Sequence, residues 1–247
     1  MISFIDEPNL PKGKVRTIIC GEYCEKLCDF LKSINIEMIK VVPNLNIDKA
    51  TATHADMLAI HLGENVVLVD ESQTELAKAL TEIEVYVDFT DTPVKGDYPD
   101  DIRLNFAIMG KRIFGNINYC DKKILKWLND YEFYNCKQGY CKCSCLVIDE
   151  NTLITDDKSI CNVAVANGVD CLLISKGDIA LSGHEYGFIG GASGKISQDE
   201  ILFFGDITKH QDYKKIADFI TKHGCKIISL DFTLTDFGGM IPLREET

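Results

Sequence analysis

One pattern recurs along this 247-residue chain and constrains its fold more than any other feature. An apolar segment, a short turn, a second apolar segment, an amphipathic helix and a third apolar segment follow one another repeatedly. The clearest copy opens at Ala55-Asp56-Met57-Leu58-Ala59-Ile60, turns at Gly63-Glu64-Asn65 and continues through Val66-Val67-Leu68-Val69. Its helix is expected to start at Ser72 with Glu75 completing a capping box, and Glu84-Val85-Tyr86-Val87 is its last strand. A second copy has a strand over 102–109, a turn at Gly110-Lys111, the strand Arg112-Ile113-Phe114, a helix around Ile124, Leu125, Trp127 and Leu128, and Glu132-Phe133-Tyr134. The third runs from a strand over 143–148 through Thr152-Leu153-Ile154-Thr155 and a helix over 160–166, stopped by Gly168, to a strand over 170–174. The fourth has a strand over 190–196, then Ile201-Leu202-Phe203-Phe204, a helix over 212–222 capped by Gly224, and a strand over 226–230.

The ends supply a fifth unit. The N-terminal part, Val15 to Ile19, a helix near 25–33 and Glu37 to Val42, lacks a first strand, and the C-terminus offers a lone strand, Gly239-Met240-Ile241-Pro242-Leu243. Joined, they complete a ring that leaves no open inner edge, so one domain is expected, with units over 14–45 plus 236–247, 54–92, 100–136, 140–176 and 187–231. The fold class is α/β, a five-fold pseudosymmetric β/α-propeller of strand-strand-helix-strand units. With 38 acidic and 26 basic residues the chain carries a net charge of −12, which argues against nucleic-acid partners and anionic membranes. No segment reads as a spanning helix or signal peptide, so a soluble, cytoplasmic protein is expected. Eleven cysteines, an odd number, are then expected as free thiols.

The repeat order, with the ending Asp236-Phe237-Gly238-Gly239-Met240-Ile241-Pro242-Leu243, resembles the pentein superfamily of guanidine-modifying enzymes. That group includes arginine and agmatine deiminases, dimethylarginine dimethylaminohydrolase, amidinotransferases and a catalytically silent ribosome anti-association factor. The chain is also similar to a clostridial-type group through His54-Ala55-Asp56-Met57, the string from Gln138 to Ser144 and that from Gly187 to Lys195. The resemblance implies a C-terminal nucleophilic Cys, a His in the fourth unit and substrate-binding carboxylates in the second and third. Here the Cys position falls on Ile241 or Pro242, the His position on Tyr140 or Cys141, and the third unit's carboxylate on Asn105, with Asp100 and Asp101 nearby. Only Asp56 keeps the implied charge. The family's own mechanism is therefore expected to fail, and fold alone does not restore it.

Other residues retain chemical possibilities. His54 and Asp56, two apart at the start of a strand, would share a face beside the channel and bind a polar ligand, or form a surface pair. Cys141, Cys143 and Cys145 would likewise share a strand face, with Lys142 and Ser144 between them. Three sulfurs near Cys136 or His184 suggest zinc, but same-face side chains on a strand lie about 7 Å apart, which argues against a tetrahedral site. They are otherwise small core residues or a thiol-lined wall, with Cys143 a nucleophile whose pKa Lys142 and His184 would lower. The glycines of 187–195 fail the phosphate-loop pattern, since Ile189 and Ile196 stand where Gly and Ser or Thr belong; they would let the backbone pass closely, leaving Ser193 and Lys195 to meet an anionic ligand. Cys20, Cys24 and Cys28 read as a buried helical stripe, and Trp127 as packing. No cofactor is implied. Two functions are expected as alternatives: a pentein-like protein that binds a small polar ligand or a protein partner at its centre, or a divergent cysteine-dependent hydrolase or guanidine-modifying enzyme using Cys143 with His54 and Asp56 or with His184.

Overall fold

The computed structural model describes residues 1–246; Thr247, the end of the expected closing segment, lies outside the described residues. In chain order β1 (Ile2–Phe4), β2 (Lys14–Cys20), α1 (Glu25–Ser33) and β3 (Glu37–Lys40) precede α2 (Ala55–Leu58), β4 (Ala59–Gly63), β5 (Val66–Val69), α3 (Thr74–Glu82) and β6 (Tyr86–Phe89). Next come β7 (Ala107–Met109), β8 (Arg112–Gly115), α4 (Lys122–Trp127) and β9 (Glu132–Asn135), then α5 (Cys141–Ser144), β10 (Cys145–Asp149), β11 (Thr152–Thr155), α6 (Lys158–Ala166) and β12 (Asp170–Leu173). The last are β13 (Ser193–Lys195), β14 (Glu200–Phe203), α7 (Tyr213–Lys222), β15 (Lys226–Ile228) and β16 (Met240–Glu246).

Among the described residues these strands form five separate sheets, four of them three-stranded. In each, the first strand runs antiparallel to the second, and the second runs parallel to the third across a helical crossover. The remaining sheet has the order β1-β16-β2-β3. The lone C-terminal strand takes the missing first place, Met240 opposite Cys20 and Ile241 opposite Ile19. The extra strand β1, absent from the expected pattern, pairs on the outer side of β16.

Helices present apolar stripes to their sheets: Leu27 and Leu31 of α1, Leu76, Ala77 and Leu80 of α3, Ile216 and Ile220 of α7. The buried apolar clusters lie between neighbouring sheets, as where Ile18, Leu27 and Leu31 meet Ile196, Leu202 and Phe204. Another unites Ala107, Met109 and Phe114 with Leu153 and Ile160. Positive-φ glycines end α6 at Gly168 (φ 77°) and α7 at Gly224 (φ 76°), as expected. All eleven cysteines are free. Among the described residues no helix is long and apolar enough to cross a membrane.

Several local expectations are corrected. Gln73, not Ser72, precedes α3; Ser72 is held by Asp70, while the Gln73 amide exchanges two 2.8 Å hydrogen bonds with the Val42 backbone. Trp127 is 40 % exposed, packed edge-on to Tyr86 and donating to Asp88, so it is not core. Of the Cys20, Cys24 and Cys28 stripe only Cys20 is buried, at the end of β2. The largest correction concerns the first strands. All four in the complete copies start later than expected, and helical turns α2 and α5 occupy 55–58 and 141–144. His54 and Asp56 therefore do not share a strand face, nor do Cys141, Cys143 and Cys145. Ahead of β4, β10 and β13 the backbone also bonds across to neighbouring units, through Asp56 N, Cys143 O and Gly191 O.

Candidate functional site

Just before the first strands, hydrogen bonds pass from unit to unit. The Asn105 Nδ2 donates to the Asp56 carbonyl at 3.0 Å, and its Oδ1 accepts from the backbone N–H groups of Lys142 and Cys143 at 2.8 and 3.2 Å. The Cys143 carbonyl accepts from Gly191 N at 2.9 Å, and the Gly191 carbonyl from Gly239 N at 2.8 Å. The Gly238 carbonyl accepts from Asp56 N at 3.4 Å, which returns the path to its start. Close approach demands glycine here: a Cβ on Gly191 would lie 2.0 Å from Asp236 Oδ1, and one on Gly238 (φ 77°) 2.4 Å from the His54 Cβ. The expectation that the glycines of 187–195 permit close backbone passage is met on these contacts.

Above this junction opens a pocket of about 320 Å³ lined by His54, Tyr140, Cys143 and Asp236 at depth and by Asp48, His184, Tyr186 and Phe188 farther out. Depth follows burial: the His54 and Asp236 side chains are 5 % and 1 % exposed, those of His184 and Asp48 42 % and 50 %. Asp236 accepts 2.9 Å bonds from the N–H groups of Phe188 and Gly238. His54 Nδ1 is 3.8 Å from Asp236 Oδ1, too far for a hydrogen bond, and has no partner. Asp56 is 1 % exposed and both its carboxylate oxygens are buried without a partner. Tyr140 donates to Asp101 at 2.7 Å.

Burial dominates the electrostatics. It pushes the Cys143 thiol far above its usual range, and the nearby charges of Asp56 and Asp236, with the thiol's own side-chain interaction with Asp56, push it further; the 3.0 Å bond from Asn105 Nδ2 opposes them. The Asp236 carboxyl is raised by burial, against the pull of His54 and two backbone donors. Tyr140 is raised by burial and by Asp101. The expectation that Lys142 and His184 would lower the Cys143 pKa is therefore overturned: desolvation and two carboxylates determine the balance.

His54, Cys143 and His184 thus come together at one pocket, with Asp56 immediately behind. Asn105 lies beneath the pocket as a clamp. Ser144 is buried with its hydroxyl unpartnered, but does not line the pocket. Lys142 does not line the pocket but two other small cavities, with Asn9; burial lowers its pKa against the attraction of Asp56. Ser193 and Lys195 are also not at the pocket. Ser193 donates to Ile189 O at 2.6 Å, and Lys195 Nζ to the carbonyls of Ile148 and Gln198 at 2.6 and 2.7 Å. Lys195 lines a different, more open depression of about 440 Å³, where those carbonyls already satisfy its charge. Cys136, Cys141 and Cys145 belong to a core cluster. Among the described residues no group of three His, Cys, Asp or Glu side chains is placed to hold a metal. The sequence reading missed Asp236, Asp48, Tyr186 and Phe188 as lining residues. Asp236 was detectable by aligning strand starts, since it precedes β16 by four residues as Asp56 precedes β4 by three.

The fold is the pentein fold. An amidinotransferase from Microseira wollei in the saxitoxin pathway superposes with a TM-score of 0.62 at 10 % identity, over 99 % of this chain and 98 % of that one. The inosamine-phosphate amidinotransferase StrB1 of Streptomyces griseus gives 0.63 at 10 % identity, again over 99 % and 98 %. An agmatine deiminase from C. jejuni, with substrate bound, gives 0.58 at 13 % identity over 100 % and 97 %. Among curated proteins none matches in sequence. The chain belongs to a family of unknown function, DUF6873, whose profile matches residues 18–241.

Proposed function

We propose that this chain is a single pentein-like domain, its five units closed into a ring, that binds a small polar ligand at the ring centre without the superfamily's Cys and His pair. The returning path of hydrogen bonds supports closure. Ile241 and Pro242 stand in β16 paired to β2, offering no nucleophile at the implied place. The observation that carries the ligand reading is Asp56: a carboxylate desolvated on both oxygens, without a partner, is costly unless something else supplies one. Native mass spectrometry of purified protein tests it. A retained small molecule that Asp56→Asn loses is the expected result; a wild-type spectrum and an Asp56→Asn spectrum with identical bound masses would refute the reading.

The second reading, a cysteine-dependent enzyme, is favoured by the placement of Cys143, His54 and His184 around one pocket. It requires deprotonation of a thiol whose surroundings oppose it. Incubation with arginine, agmatine and methylarginines decides between them: the first reading expects no citrulline, ornithine or other product above a heat-killed control.

A further inference from the structure

The charges around the pocket restrict the ligand more narrowly. We propose that it takes an aliphatic cation lacking a carboxylate, a diamine or longer polyamine, in preference to the corresponding amino acid. This rests on the reading of the pocket as a ligand site. Asp48, Glu185 and Asp236 line the pocket, Asp56 lies behind it, and no lysine or arginine is among the lining residues. The two histidines there already face carboxylates, His54 toward Asp236 at 3.8 Å and His184 toward Asp48 at 3.5 Å. Lys176 donates to the hydroxyl of the lining residue Tyr186 at 3.1 Å and lies 5.4 Å from that ring's centre. Lys142 is attracted by Asp56 but lines other cavities and does not reach the pocket.

An amino acid bound here would bring its carboxylate into a pocket with no cation to receive it, against several like charges. A diamine meets no such cost. The carboxylates lie at two depths, Asp236 and Asp56 at the floor and Asp48 and Glu185 toward the mouth, so each end of a dication finds negative charge. Aromatic walls lie between: the Tyr140 and Phe188 rings stack with centroids 6.2 Å apart, and Tyr186 meets Phe188 edge-on at 6.1 Å. Such rings cover methylene groups and favour ammonium over carboxylate.

Titration calorimetry of the full chain with 1,4-diaminobutane and with ornithine, which differ only by the carboxylate, tests this. The diamine is expected to bind at least about tenfold more tightly, and Asp56→Asn and Asp236→Asn to weaken it while ornithine stays weak. Ornithine binding equally well or better, and lost in the same variants, overturns the inference but leaves the ligand site standing. Diamine binding unchanged by both substitutions removes the site as well. If neither compound binds the wild-type chain, the inference is refuted; the mass of any retained ligand then judges the site separately. The wild-type comparison of the two compounds needs no variant to fold.

Discussion

Asn105 and Asp56 occupy corresponding places before the first strands of adjacent units, both buried and polar, yet they are treated oppositely. Asn105 uses both ends of its amide, donating to the Asp56 carbonyl and the Cys143 sulfur and accepting from two backbone N–H groups. Asp56 accepts no N–H or O–H bond on either carboxylate oxygen and has only a weakly donating thiol, Cys143, beside it. A buried polar side chain with every bond made holds a framework together, whereas one with none made costs stability that a ligand can return. The junction is thus divided between residues that hold it and residues that await something.

That division can be broken by substitution. Asn105→Ala should have the largest effect, roughly 3 kcal/mol of lost stability in urea denaturation, because it leaves buried backbone donors and a carbonyl unpaired. A loss below about 1 kcal/mol would show that the clamp is dispensable. Asp156 extends the comparison as another buried carboxylate with an unpartnered oxygen, raised from 3.8 to about 7 mainly by burial. Because its folded pKa lies above the unfolded one, its contribution is full below pH 4 and is lost as the pH rises through about 7. Asp156→Asn should therefore raise stability by roughly 2 kcal/mol at pH 8 and by little at pH 4. That is about half of what the pKa difference allows, since the new amide is itself buried. Equal melting shifts at both pH values would contradict this.

Smaller effects sharpen the contrast. Asp56→Asn should leave the melting temperature unchanged or slightly higher, unlike its neighbour, because it removes a buried charge that no hydrogen bond repays. A fall comparable to that of Asn105→Ala would place Asp56 in the framework. With iodoacetamide at pH 7, Cys143 should react more slowly than the half-buried Cys24 and Cys28, as followed by peptide mass spectrometry. Preferential labelling of Cys143 would instead favour the enzymatic reading. His184→Ala should cost under about 1 kcal/mol, since its pair with Asp48 is exposed.

The repeat order was readable because second strands, helices and third strands are stabilised locally, by alternation, apolar stripes and glycine stops. The pairing of β2 with β16 was also readable, since two incomplete fragments required one another. The starts of the first strands were not. Residues such as Asp56, Asn105 and Cys143 have their hydrogen-bond partners in other units, and apolar runs near them look extended when read alone. The expected thiol face failed for this reason: Cys141 to Ser144 form a helical turn that aims Cys143 at the pocket and Cys141 into the core. Lys142 and Lys195 looked like ligand-binding cations from their neighbours in sequence, yet each lines other cavities and not the pocket. Asp236 shows only when the strand starts of different units are aligned, because the bonds that fix it come from Phe188 and Gly238 together.

The most direct measurement is a crystal structure of the protein soaked in 1,4-diaminobutane. The account predicts density in the pocket beneath Tyr140 and Phe188, with one nitrogen within hydrogen-bonding distance of Asp56 or Asp236. An empty pocket at saturating diamine, or the amine bound elsewhere with the Asp56 oxygens still unpartnered, would contradict it.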